Sequence, residues 1–275
     1  MNVIKVYGGL GNQMFQYAFG LALLDKGRHV VFDVSWYDSE ERKKDEFPRP
    51  FGLDKFHVQH LVKGRLISSN PYVYENRIGK YEPGLLDLKT DCNFIGYWQY
   101  PMYFEHLIPQ LRMEFTLKDT YITEEYAEFY QRITRSKSVS LHVRRGDYLK
   151  HPPGHYTSLP AAYYFDAISI APKGNLYIFS DDLEWCKKIF KKEYFDRELF
   201  FVYMEDYLCL DLMRRCSHNI ITNSTFSYWA ALLNDNPDKV VICPRNYLDD
   251  PPEVSEIRYP RDWIRINDYA THLNR

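Results

Sequence analysis

Two adjacent arginines, a set of aspartates and a Ser-Thr pair are the groups in this chain best suited to chemistry. His142-Val143-Arg144-Arg145-Gly146-Asp147 follows one predicted strand, Ser180-Asp181-Asp182 closes a second, and Asn223-Ser224-Thr225-Phe226 follows a third. Ligands of an open parallel sheet bind beyond the carboxyl ends of its strands, so all three groups fall on the edge where a ligand belongs. Arginine forks hold phosphate oxygens bidentately. The N–H groups and dipole at the helix start marked by Ser224 favour an anion. Asp181 or Asp182 offers acceptors to guanine N–H groups or ribose hydroxyls. The combination describes a nucleoside-diphosphate site. Each element also has a plainer reading. Adjacent arginines are commonly solvated surface, Asp-Asp before a helix is commonly a cap, Ser-Thr-Phe is an ordinary helix start, and His142 on an alternating strand fits a core histidine. Their meeting on one edge favours the ligand reading. Arg145-Gly146-Asp147 also spells an adhesion triplet, which is read here as chance.

The elements that place these groups are clearest in the second half. Ser138–Val143 alternates, with Val139, Leu141 and Val143 on one side, and reads as a strand. Strands are also expected at 175–180, 199–203, 219–222 and 239–243. Between them lie helices opened by Pro160, Asp181 or Asp182, Asp206 and Ser224. Strands alternating with helices imply crossovers and a parallel sheet. The first half begins likewise: a strand at 3–7, the Gly8-Gly9-Leu10-Gly11 turn, a helix over about 12–26, and a strand at 29–34. A weaker strand or strand–loop covers 94–100, and Thr123 caps a helix carrying Tyr126, Phe129, Tyr130 and Ile133. The polar stretch 38–46 reads as a solvated loop or helix end. The boundary is placed at 134/135, giving an N-terminal domain over 1–134 and a C-terminal domain over 135–275.

The glycine turn matches neither G-x-G-x-x-G nor G-x-x-x-x-G-K-[ST], so a dinucleotide or ATP site is not expected there. Tyr97-Trp98-Gln99 reads either as an aromatic platform for a sugar or as core packing. Aromatic residues make up 17% of the chain, with 24 Tyr and 17 Phe, which suits sugar-binding surfaces and a Tyr-rich core alike. Net charge is -2 with no basic stripe, so nucleic acid is not an expected partner. The opening residues lack the pattern of a signal peptide, and no apolar run approaches the about 20 residues that a span needs. A cytoplasmic protein with at most peripheral membrane contact is therefore expected. The five cysteines lack metal spacing, and Cys186, Cys209 and Cys216 sit on apolar helical faces as buried thiols. No metal-binding set is found.

The chain resembles the α-1,2-fucosyltransferase family over nearly its whole length. The resemblance rests on Gly8-Gly9-Leu10-Gly11-Asn12-Gln13-Met14-Phe15-Gln16-Tyr17 and on Gly96-Tyr97-Trp98-Gln99. It continues through His142–Tyr148, Tyr177–Asp182 and Thr222–Trp229. It implies a GT-B-like α/β fold, two Rossmann-like domains facing a cleft, with GDP-fucose held by the second. It implies Arg144 on the β-phosphate, His142 and Asp181 or Asp182 near guanine, and Ser224, Thr225 and Phe226 along the diphosphate. Arg145 either joins these contacts or, with Asp147, orders the loop. The catalytic candidates are Arg144, Asp147 and Asn12. Gly9, Asn12, Gln13, Tyr97, Trp98 and Gln99 are the acceptor-side candidates. The implied reaction inverts the anomeric centre, with Arg144 and the Ser224 helix start standing where other glycosyltransferases use a metal. GDP-fucose would be the donor and no metal or cofactor would be required. The acceptor would be the 2-hydroxyl of a galactose ending an oligosaccharide or lipid-linked glycan. The alternatives are a GDP-sugar transferase using another hydroxyl and a non-catalytic glycan-binding protein, which GDP binding separates from the enzyme.

Overall fold

The computed structural model describes residues 1–44, 49–76, 80–150, 158–246 and 259–267. The end of the polar stretch expected at 38–46 lies outside these. The chain forms two compact units, Met1–Lys118 and Asp119–Arg275.

In the first unit, β1 (Asn2–Lys5) leads into α1 (Leu10–Asp25) and then β2 (Val30–Asp33). The short helix α2 (Glu40–Lys43) is capped by Ser39, whose Oγ accepts from the Arg42 N–H. β3 (Tyr72–Tyr74), β4 (Asn93–Ile95) and α3 (Ile108–Glu114) follow. The four strands are parallel in the order β2-β1-β4-β3. Residues 10–23 of α1 are buried almost all round, Asn12 excepted. That is the character of an interior helix rather than an amphipathic one. Its Phe19 packs edge-on against Phe94 of β4. Of the strand or strand–loop expected over 94–100, the strand is Asn93–Ile95 and the remainder is loop, within which Trp98 takes a left-handed backbone (φ 56°).

The second unit begins with α4 (Glu124–Arg135), capped by the Thr123 side chain. β5 (Ser138–Val143), α5 (Ala161–Ile170), β6 (Asn175–Ser180), α6 (Leu183–Ile189), β7 (Leu199–Val202) and α7 (Asp206–Arg215) follow. Then come β8 (His218–Ile220), α8 (Thr225–Leu233), β9 (Val241–Pro244) and β10 (Ile264–Ile266). All six strands are parallel, in the order β10-β9-β8-β5-β6-β7. Counted within the unit this is the 3-2-1-4-5-6 order of a Rossmann fold. The unit starts at Asp119, upstream of the 134/135 boundary expected from sequence. The reason is α4, whose Tyr126 hydroxyl bonds the buried carboxylate of Asp211 on α7. Arg214 and Arg215 flank the same carboxylate at 3.7 and 3.4 Å. β9 ends on Pro244, one residue beyond the strand expected at 239–243, and β3 and β10 are strands the sequence pattern did not mark.

β5 is buried on both faces, as a central parallel strand should be. Val139, Leu141 and Val143 join Tyr163, Tyr164, Ile168, Ile178 and Phe190 in the core. The opposite row is polar and satisfied. Ser138 Oγ donates to the Ile133 carbonyl at 3.1 Å. Ser140 Oγ accepts from Asn219 Nδ2 at 2.8 Å. The His142 ring meets Thr222 Oγ1 at 3.2 Å. Burial drives the His142 pKa down from 6.5 to about 3, with Arg144 lowering it further and Asp181 opposing. The ring is therefore neutral at neutral pH.

Two consequences are measurable. Asp211→Ala removes the buried carboxylate that Tyr126, Arg214 and Arg215 share. It should cost the second unit about 3–5 kcal/mol in denaturant unfolding, and a loss below about 1 kcal/mol would show that the pair is not a structural anchor. For His142 the sign is set by a depressed native pKa. The unfolded chain takes up the proton near 6.5 while the native chain does not, so stability is intact above 6.5 and falls on acidification. Between pH 7.5 and 5 this loss should be about 2 kcal/mol and should disappear in His142→Gln. An identical pH slope in both proteins would refute the neutral, buried histidine.

Candidate functional site

Strand order decides where each sheet opens a crevice. In the second unit β6 and β7 lie on one side of β5, and β8, β9 and β10 on the other. The crevice of such a sheet lies at the carboxyl ends of β5 and β8. His142–Asp147 leaves one of these ends and Thr222–Phe226 the other.

The arginine loop is locked by ion pairs. Arg144 Nη1 lies 2.8 Å from Asp181 Oδ2, and its Nη2 lies 2.6 and 2.7 Å from the two oxygens of Asp147. Its guanidinium also sits 5.4 Å from the ring centre of Tyr148. Burial disfavours the charged arginine, but Asp181 and Asp147 outweigh it and its pKa is raised. The two carboxylates engage Nη1 and Nη2 only, short of the full donor capacity of a guanidinium. Arg145 stacks 4.1 Å above Trp185 and donates from Nε to Asp182 Oδ2 at 3.1 Å. Its backbone N–H donates to Asp181 Oδ1 at 2.9 Å. Asp182 also caps α6 by accepting from the Trp185 N–H at 3.0 Å. Gly146 is glycine for a steric reason: a Cβ there would lie 2.8 Å from Asp181 Oδ2.

Across the crevice, Ser224 is the N-cap of α8, its Oγ accepting from the Phe226 N–H at 3.4 Å. Thr225 and Phe226 open the helix half-buried, and the Phe226 ring lies 5.4 Å from the His142 ring. The Tyr148 hydroxyl donates to the Asn223 carbonyl at 3.1 Å and ties the arginine loop to the Ser224 cap. All eight residues expected at the nucleotide, namely His142, Arg144, Arg145, Asp181, Asp182, Ser224, Thr225 and Phe226, lie at the carboxyl edge of this sheet. Both oxygens of Asp181 and of Asp182 serve the arginine loop or the α6 cap, so these carboxylates order the arginines, and each keeps lone pairs that can accept a further donor. Asp147 likewise has both oxygens on Arg144, which makes it the partner of the arginine. Tyr148 and Trp185 complete the loop and were not singled out as site residues.

In the first unit β2 lies on one side of β1 and β4 on the other, so the same rule points beyond β1 and β4. Tyr7–Gly9 and Gly96–Gln99 leave these ends. Gly8 has φ +80° and Gly9 is the N-cap of α1. Gln16 joins the two loops, accepting from the Tyr7 N–H at 3.1 Å and donating to the Gly96 carbonyl at 3.0 Å. Gln99 Nε2 donates to Asn12 Oδ1 at 3.0 Å and so fixes the half-buried Asn12 amide. Tyr97 is half-buried, 4.8 Å from the Tyr7 ring, and its N–H donates to Glu75 at 2.7 Å.

Two acceptor-side expectations need correction. Trp98 is 1% exposed and stacks 4.5 Å from Phe19 in the core, because its left-handed backbone turns the indole inward. Gln13 is fully buried and its amide is committed to the carbonyls of Gly8 and Pro50 and the N–H of Gly52. Neither is a surface for a ligand. Gln99, 5% exposed, acts through Asn12. Gly9, Asn12 and Tyr97 are the accessible members of that set. Tyr7, Gln16 and Glu75 belong to the site and were missed. Gln16 follows Gln13 at helical spacing, a usable signal, whereas the pairing of Glu75 with Tyr97 joins positions with no pattern between them.

Comparison with known proteins agrees with this architecture. Residues 1–267 match Glycosyl transferase family 11. An alpha-1,2-colitosyltransferase of Escherichia coli is 30% identical, over 96% of this chain and 98% of its own length. A galactoside 2-alpha-L-fucosyltransferase of Mus musculus is 27% identical, over 97% of this chain and 74% of its own. Among solved structures, the fucosyltransferase NodZ from Bradyrhizobium aligns with a TM-score of 0.52 at 15% identity, over 84% of this chain and 91% of its own. The fold is that of the GT-B-type transferases, with two Rossmann-like units. The chain is a member of glycosyl transferase family 11.

Proposed function

We propose that this chain is an inverting, metal-independent α-1,2-fucosyltransferase that moves L-fucose from GDP-β-L-fucose to the 2-hydroxyl of a terminal β-galactoside. The observation that carries the reading is Arg144, held charged and oriented by two carboxylates at the switch point of the second unit. Family membership and the galactoside 2-alpha-L-fucosyltransferase relative support the donor and acceptor classes. NodZ, of the same fold, has been soaked with GDP-fucose.

In this reaction the acceptor oxygen bonds to C1 of fucose as the bond from C1 to the β-phosphate oxygen breaks, and the β-linked donor gives an α-linked product. Negative charge develops on the β-phosphate. Arg144 and the amino end of α8 supply preorganised donors against it, the role a divalent cation takes elsewhere. No group of His, Cys, Asp and Glu fit to hold a metal is present among the described residues. Arg145, stacked on Trp185, and Asp147, paired to Arg144, hold the loop. Asn12, oriented by Gln99, positions the acceptor hydroxyl. Its proton passes late to solvent water, once bonding to an oxocarbenium-like C1 has made the oxygen acidic. A cytoplasmic place of action on glycan precursors belongs to the same proposal. No helix of the described residues is long and apolar enough to cross a membrane.

The colitosyltransferase relative favours one second reading, in which the GDP-linked sugar is colitose. Parallel assays with the two donors separate the readings by kcat/KM.

Wild-type protein in EDTA should release GDP from GDP-fucose faster when lactose is added. Loss of turnover in EDTA, restored by a divalent cation, would contradict metal independence. Arg144→Ala should lower kcat/KM by about 100- to 1,000-fold, the usual effect of removing one oxyanion donor. Near-normal turnover in that variant would remove Arg144 from the mechanism.

A further inference from the structure

Tyr72 and Tyr74 form an exposed stacked pair on β3, the edge strand of the first sheet. They are 45% and 59% exposed, with ring centres 6.1 Å apart and planes 18° from parallel. Their orientation follows from register. Val73 pairs with Phe94, which faces α1 through Phe19, so Tyr72 and Tyr74 project from the other face of the sheet. Stacked, exposed tyrosines match the apolar faces of pyranose rings while their hydroxyls meet sugar hydroxyls.

The position of the pair says which sugar. Tyr74 pairs with Ile95, and the next residue on each strand enters the acceptor-side loop. Glu75 accepts the Tyr97 N–H at 2.7 Å, and Tyr97 packs on Tyr7 beside the glycine turn. Asn76, held by Glu82 at 3.0 Å, adds an amide at the same strand end. Along β3 the exposed rings thus lead into the segment where Glu75 and Tyr97 stand, the segment proposed above to meet the terminal galactose.

We infer that Tyr72 and Tyr74 form a remote acceptor subsite that stacks on sugar rings of an oligosaccharide one or more residues inward from the galactose that is modified. This rests on the acceptor reading above and gives the enzyme a preference for longer glycans over a disaccharide.

The test is the double variant Tyr72→Thr/Tyr74→Thr, which keeps a β-branched residue on an exposed strand. With a tetra- or pentasaccharide ending in galactose, the variant should raise KM about tenfold, which corresponds to losing about 1.4 kcal/mol of binding. With lactose, both kcat and KM should match wild type. Saturation-transfer NMR of the longer glycan, read without turnover, should lose its signals from the inner sugars and keep those from the terminal galactose. Equal KM values for the long acceptor in both proteins, or unchanged inner-sugar signals, would overturn the subsite. If wild type transfers to no galactoside, the acceptor reading fails, and the NMR arm still decides whether the tyrosines bind glycan. A shift from dimer to monomer in the variant, with glycan binding unchanged, would instead make this face a contact between copies and also overturn the inference.

Discussion

Everything at the second unit's edge depends on charges that are paired before any ligand arrives. Arg144 and Arg145 leave β5 side by side, and two neighbouring guanidinium groups at partial burial repel each other and lose hydration. Asp147, Asp181 and Asp182 resolve this by binding them at 2.6–3.1 Å. One carboxylate, Asp181, reaches the side chain of the first arginine and the backbone of the second. The arrangement fixes two long side chains whose conformational freedom would otherwise oppose binding. It also explains why Gly146 follows the arginines, since any side chain there would meet the Asp181 carboxylate.

Sheet topology turns that lattice into a site. Each unit has its own switch point, β1/β4 in the first and β5/β8 in the second, and each switch point carries one set of the motif residues. The buried amides and hydroxyls serve the same end. Gln16 spans the two loops of the first unit, and the Ser138-Ser140-His142 row secures β5 from its polar face. A neutral His142 is consistent with this structural duty, because burial disfavours the charged imidazole by more than Asp181 favours it.

Much of this was legible in the sequence. Ser138–Val143 and Asn175–Ser180 are strands at the expected residues, and Thr123, Asp182 and Ser224 cap helices where their short polar side chains predict. The carboxyl-edge placement of the three polar groups followed from alternation of strand and helix alone. What was not legible arises from tertiary context. β3 and β10 are short edge strands with exposed Tyr72, Tyr74 and Ile264, so they lack the apolar run that marks an inner strand. Strand order, and with it the switch points, is not a local property. The inward turn of Trp98 depends on a left-handed backbone that a bulky residue rarely adopts, so its burial among Phe19 and Phe94 could not be read from Tyr97-Trp98-Gln99. The unit boundary moved because Asp211, far along the chain, claims the hydroxyl of Tyr126.

We place the donor diphosphate at the β5/β8 edge of the second unit and not at the glycine turn of the first. A crystal structure of the protein with GDP tests it most directly. The β-phosphate should lie within hydrogen-bond distance of Arg144, with the diphosphate at the amino end of α8 near Ser224 and Thr225. A diphosphate seated on the Gly8–Gly11 turn, with Arg144 still turned wholly to Asp147 and Asp181, would contradict it.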